Sequence, residues 1–194
     1  MSRSSQNTEA TQARIEALSH ELRLMIAMVL SVRPASSGEI AEELGEPADK
    51  IRYQLRKLRD AGLVAVSEER HRRGVVERIY VACADKMDFR FEEVLSVPLE
   101  VRSRLALTLL RVIFRTSLHS LSQGELVGEE RTLLSLVPMR VDLRGWEELT
   151  QLHRDMLDRT LQLKAESDLR LEASGDPSIS AASALLWLRN PPRD

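Results

Sequence analysis

What the chain lacks narrows its chemistry first. It has a single cysteine, Cys83, so no intramolecular disulfide can form, and that usage suits a reducing cytosol. The four histidines, His20, His71, His119 and His153, stand alone with no pair at three or four residues, and Cys83 has no partner at metal-ligand spacing. No metal and no cofactor is therefore expected. There is no glycine-rich phosphate loop and no nucleophile motif, and the chain offers no carboxylate pair outside strongly charged helix surface. Glu147-Glu148 most simply complements the start of its own helix. An enzyme is the least supported class. The longest apolar runs, Leu105–Phe114 and Ala181–Leu188, fall short of the ~20 residues that cross a bilayer, and Arg111 interrupts the first. No basic start leads into an apolar signal core. These absences predict a cytoplasmic protein with no membrane partner, and no internal repeat organises it.

What is present is a globular composition with an uneven charge. Hydrophobic residues make up 43% and charged residues 30% of 194, enough for one domain or two small ones. The formal net charge of −2 argues at first against a polyanionic partner. Lys50–Arg78, however, carries nine Lys/Arg against four Asp/Glu, a local +5 that leaves −7 on the remainder. Binding to nucleic acid depends on the field of one face, not on the total.

That basic stretch has a legible local structure. Ser36 followed by Glu39 is a capping box, and Ile40, Ala41 and Leu44 give the next turns an apolar face. Gly45 suits the left-handed end of that helix, and Pro47 the first turn of the next. In the second helix Ile51, Leu55 and Leu58 share a buried side. Asp49, Tyr53, Arg56 and Lys57 point away from it, with Lys50 and Gln54 on one flank and Arg52 on the other. Ala61-Gly62 ends the helix. Leu63–Val66 opens a strand, Glu68–Arg73 is polar, Gly74 supplies a turn, and Val75–Val81 returns as a second strand. The pattern is a helix-turn-helix followed by a wing.

On these residues the chain resembles the winged helix-turn-helix of ArsR-type transcriptional regulators. The likeness rests on IRYQLRKLRDAGLV at Ile51–Val64, on Arg78-Ile79-Tyr80 and on Ala17–Leu24, and it covers roughly residues 15–84. It implies a homodimer that places the second helix of the motif in the major groove of double-stranded DNA and often represses transcription. Where that family commonly carries a small serine or threonine and a histidine, this chain has Arg52, Tyr53 and Gln54. Many members bind metal through paired cysteines or clustered histidines, which this sequence does not contain. Val141–Leu149 also resembles the accessory domain of some larger ArsR-like regulators.

Residues near the start of a recognition helix reach base edges, which assigns readout to Lys50, Arg52, Tyr53 and Gln54. Arg56 and Lys57, further along, suit phosphates. Arg70, His71, Arg72 and Arg73 in the wing suit phosphates or the adjacent minor groove. Each set has a plainer alternative, a solvated basic helix face or a solvated hairpin tip.

Around this motif, residues 1–8 read as a disordered tail and Glu9–Leu18 and His20–Leu30 as helices, so that 9–84 forms the DNA-binding domain. Residues 85–194 read as a smaller C-terminal dimerisation and effector domain of helix–strand–helix–strand order. Its elements are a helix over Leu99–Leu121, a strand over Leu133–Val141 with Pro138 at an edge or bulge, and a helix whose Trp146, Leu149, Leu152, Met156, Thr160 and Leu163 step by three and four. Ile179–Arg189 fits a last strand or a short buried helix. The fold class is thus α+β and mostly helical. Trp146 and Trp187 are candidates for core and for a ligand pocket. The expected function is a sequence-specific regulator, with an effector of unknown class. The rivals are a winged helix that docks proteins and a small-molecule-responsive binding protein.

Overall fold

The computed structural model describes residues 3–72, 75–87, 89, 91–128 and 132–189. In chain order the elements are α1 (Arg3–Leu18), α2 (Glu21–Val32), β1 (Ala35–Ser36), α3 (Ser37–Leu44), α4 (Ala48–Asp60), β2 (Val64–Arg72), β3 (Val75–Ala82), α5 (Ala84–Met87), α6 (Phe91–Leu95), α7 (Leu99–Ser122), α8 (Glu125–Gly128) and α9 (Leu143–Ser174). The fold is α+β, a winged helix-turn-helix with a small antiparallel sheet. Among the described residues no helix is long and apolar enough to cross a membrane.

Local chemistry sets the ends of the motif helices. Ser36 accepts from the Glu39 N–H through its hydroxyl, and the Glu39 carboxylate accepts from the Ser36 N–H at 2.6 Å, so the capping box starts α3. Gly45 takes φ 64° and closes it, a backbone state that costs a side-chain-bearing residue dearly. Ile51, Leu55 and Leu58 on α4 are fully buried with Ile15, Ile26, Ile40 and Leu63, and these side chains form the centre of the core. β1, β3 and β2 lie in that order, with Ala35 opposite Tyr80 and Val64 opposite Ala82; an extra residue, Ser67, bulges β2 before its exposed half.

The chain divides into two compact units, one ending at Thr132 and the other starting at Leu133. This differs from a boundary near Ala84. Val101, Leu105, Thr108 and Val112 give α7 a buried face, which packs on α1 and α2 and ties the helix to the first unit. The expected tail differs too: α1 already runs from Arg3, carried N-terminally from the buried anchors Thr11, Ile15 and Leu18.

In the second unit, taken by itself, α9 spans 32 residues, started by the Asp142 carboxylate accepting from the Gly145 N–H at 2.8 Å and ended at Gly175 with φ 68°. None of its side chains is buried. The strand expected at Leu133–Val141 is not formed, nor is the strand or short buried helix expected at Ile179–Arg189; both stretches are irregular. A lone strand leaves its backbone groups unpaired, and Pro138 lacks a donor besides. Trp187 docks on α9 instead. Its indole N–H donates to the Thr150 hydroxyl at 3.1 Å, and its ring lies 4.7 Å from Trp146 and 4.9 Å from His153 by centroids.

Candidate nucleic-acid interface

α4 has a back that is fixed and a front that is free. The back is the Ile51/Leu55/Leu58 stripe, none of it exposed. The front carries Lys50, Arg52, Tyr53, Arg56 and Lys57, all solvent-exposed. Five of the ten residues expected to meet DNA therefore share one face of one helix.

Gln54 does not join them. Its side chain is buried, 6% exposed, and its amide oxygen accepts from the Arg23 guanidinium at 3.2 Å. Lying three residues after Ile51 and four before Leu58, it belongs to the apolar side by helical geometry. The same Arg23 donates to the Ala17 carbonyl and, at 3.3 Å, to that of Glu16, two of the orphan acceptors at the end of α1. Burial lowers the pKa of this guanidinium below its ordinary value. Burial, and then Arg23 nearby, also lower that of His20, which begins α2. Arg23 thus holds α4 from behind. Its signal in sequence is a single charge inside the apolar run Leu22–Leu30, which only a buried partner could satisfy.

On the front, cations fall into two groups. Lys50 pairs with Glu46 at 2.8 Å, and Arg52 with Asp49 three residues before it. Arg56 and Lys57 have no acidic partner among the described residues and lie instead over the Tyr53 ring, 5.6 and 5.8 Å from its centroid. Tyr53, 47% exposed, therefore serves as a platform that orders two cations without neutralising them.

In the wing, Arg70 and His71 are exposed on the outer half of β2, and Arg72 ends that strand opposite Val75. Arg73, with Gly74, lies outside the described residues. Arg70 meets Glu68 through two contacts of 3.0 Å, which raises the arginine and lowers the carboxyl. Arg78 on β3 crosses to Glu69 at 2.8 Å, adding a cation to the wing surface. Among the described residues no three or more His, Cys, Asp or Glu side chains gather as a metal site.

Comparison with known proteins fits this geometry. The sequence pattern of a helix-turn-helix domain matches residues 18–67, from the end of α1 through α2, α3 and α4 into β2. Residues 18–67 are thus similar to a helix-turn-helix domain. That domain supports a DNA-binding regulator of transcription. No curated protein matches the chain. Among solved structures, reduced HlyU from Vibrio cholerae N16961 aligns at 20% identity over 55% of this chain and 93% of that one, with a TM-score of 0.36, too slight a likeness to show a common overall fold.

Proposed function

We propose that the protein is a homodimeric, sequence-specific DNA-binding regulator of ArsR type that acts, as a repressor, on an inverted-repeat operator. The observation that carries this reading is α4: a helix whose back is fully buried and whose front presents Lys50, Arg52, Tyr53, Arg56 and Lys57 beside a wing bearing Arg70 and His71. Arg52 and Lys50, near the helix start, are suited to base acceptors in the major groove, and Arg56 and Lys57 to phosphates. Arg72 and Arg73 extend the basic wing in sequence.

Dimerisation is supported by α7. Its inner face is buried, while Leu107, Leu110, Phe114, Leu118 and Leu121, spaced by three and four residues, form a narrow apolar stripe on the far side, each 45–66% exposed. A seam of that spacing fits a second helix. Two copies would set their α4 helices into successive major grooves about 34 Å apart.

Selection of bound sequences from a random duplex pool, at two salt concentrations, tests the reading. An enriched inverted repeat whose binding falls steeply with salt supports it. Absence of any enriched sequence overturns it.

The second unit favours an added effector reading. Trp146 joins Glu147, Thr150, Gln151 and Arg154 around a shallow cavity of about 300 Å³, beside the Trp187–His153 stack. A ligand there would raise the melting temperature of the full chain; a screen of aromatic and charged metabolites that leaves it unmoved speaks against sensing at this place.

A further inference from the structure

The front of α4 carries one group that a DNA-facing surface has reason to exclude. Asp49 lies in the first turn with its side chain 91% exposed, on the side that would meet a polyanion, and its carboxylate accepts from the Arg52 guanidinium. A carboxylate there is repelled by every phosphate, so it weakens binding unless it does something for selection.

The helix dipole accounts for part of its presence. Asp49 is the acidic residue of the first turn, and Pro47, at the cap, makes no side-chain hydrogen bond. That role leaves Arg52 unexplained. An exposed arginine on a flexible stem reaches readily for phosphate, where it contributes affinity without choice. Held by Asp49, it cannot do so freely, because a phosphate oxygen within reach of its guanidinium also approaches the carboxylate. Base edges impose no such penalty. A guanidinium has five donors, so those outside the ion pair remain for guanine O6 and N7. The carboxylate keeps acceptor capacity for an exocyclic amino group, and cytosine presents one at N4 on the opposite strand.

We infer that Asp49 is a specificity-determining residue, which holds Arg52 toward base edges, bars it from phosphate and matches the pair to a G·C step. This rests on the operator-binding reading above. The contrast with Arg56 and Lys57 is in keeping: the two cations assigned to phosphates lie over a neutral ring and have no acid beside them among the described residues. The wing repeats the device, since Arg70 is gripped by Glu68.

The test uses the full chain, the duplex that it selects and a scrambled duplex of equal length. Asp49→Asn is expected to tighten binding to the scrambled duplex about tenfold and to change the selected duplex less than about threefold, so that discrimination falls. The salt slope on the scrambled duplex should steepen by about 0.9 per protomer, as Arg52 gains a phosphate. Combined with Arg52→Ala, the same substitution should leave discrimination where Arg52→Ala alone puts it. A merely stabilising Asp49 would move both duplexes by one factor, and that result overturns the inference. If the wild-type chain selects a sequence and Asp49→Asn discriminates as well as it does, the inference alone fails. A wild-type chain that selects nothing overturns the operator reading and this inference with it.

Discussion

Lys57→Ala separates anchoring from reading. Lys57 is exposed on the front of α4, with no acid beside it among the described residues and its ammonium 5.8 Å from the centroid of the Tyr53 ring. Its whole charge is therefore available to one phosphate. Losing one phosphate contact flattens the plot of log affinity against log salt by about 0.9, so a dimer losing two should flatten by about 1.8. Over a fourfold rise in salt, from about 50 to about 200 mM, the variant should then lose roughly twelvefold less affinity than the wild type does. Lys50→Ala provides the internal comparison. Lys50 is paired with Glu46 at 2.8 Å, so its removal frees a carboxylate and should weaken binding without the same simple change of slope. The assay is a fluorescence anisotropy titration on the selected and scrambled duplexes at four salt concentrations. A slope that does not change, or a loss confined to the selected duplex, would refute the assignment of Lys57 to phosphate.

Four further outcomes follow from the same geometry. Gln54→Ala should destabilise by about 1–3 kcal/mol, because a half-buried arginine loses an acceptor, yet leave the selected sequence unchanged; a shifted preference would restore Gln54 to the base-reading set. Leu55→Ala, at a fully buried position, should cost about 2–5 kcal/mol in chemical denaturation, and a loss well under 1 kcal/mol would deny that the core lies behind α4. Ser36→Ala should cost about 1 kcal/mol through the lost cap. The hydrogen bond from the Ser36 N–H lowers the Glu39 carboxyl below its ordinary 4.5, so its contribution is present above about that pH and lost as pH falls through the lower folded value; a Glu39→Gln variant with the same acid limb as wild type in thermal melts would contradict the box. Phe114→Glu, at a residue 66% exposed, should convert a dimer to a folded monomer in sedimentation equilibrium, and a dimer that survives it places the seam elsewhere.

The helix-turn-helix was legible because its signals are local. A capping box, a glycine at a left-handed position and three apolar residues at helical spacing fix two helices and the turn between them with no knowledge of distant parts. Gln54 shows where chemistry misleads: its polarity suggests the surface, while its position between Ile51 and Leu58 on the helical wheel assigns it to the buried side, and Arg23, thirty-one residues earlier, makes that tolerable. The unit boundary was illegible for a related reason. Ala84–Lys86 looks like a linker, but α7 belongs with the first unit through Val101, Leu105 and Val112, whose partners on α1 and α2 lie some eighty residues back in the chain. Leu133–Val141 and Ile179–Arg189 have strand-like composition, and composition cannot supply the neighbouring strand that either would need.

The two sides of α4 are held by different kinds of interaction, and the difference bears on how such a surface can choose among sequences. Behind it, Ile51, Leu55 and Leu58 are excluded from solvent, and Arg23 links Gln54 to the final carbonyls of α1, so displacement of the helix would expose apolar area and strand half-buried donors together. In front, the Lys50–Glu46 pair and the contacts of Arg56 and Lys57 with the Tyr53 ring are exposed, each worth little to stability and readily exchanged for contacts with a ligand. Selection among base pairs depends on small differences in contact geometry, which a helix free to shift would average away. On the operator-binding reading, the strong, non-exchangeable contacts therefore have to lie on the side turned away from DNA, and the weak, exchangeable ones on the side that would meet it. On that same reading, half-buried Arg23 and buried Gln54 would contribute to sequence choice only by fixing the helix from which Arg52 and Lys50 would reach.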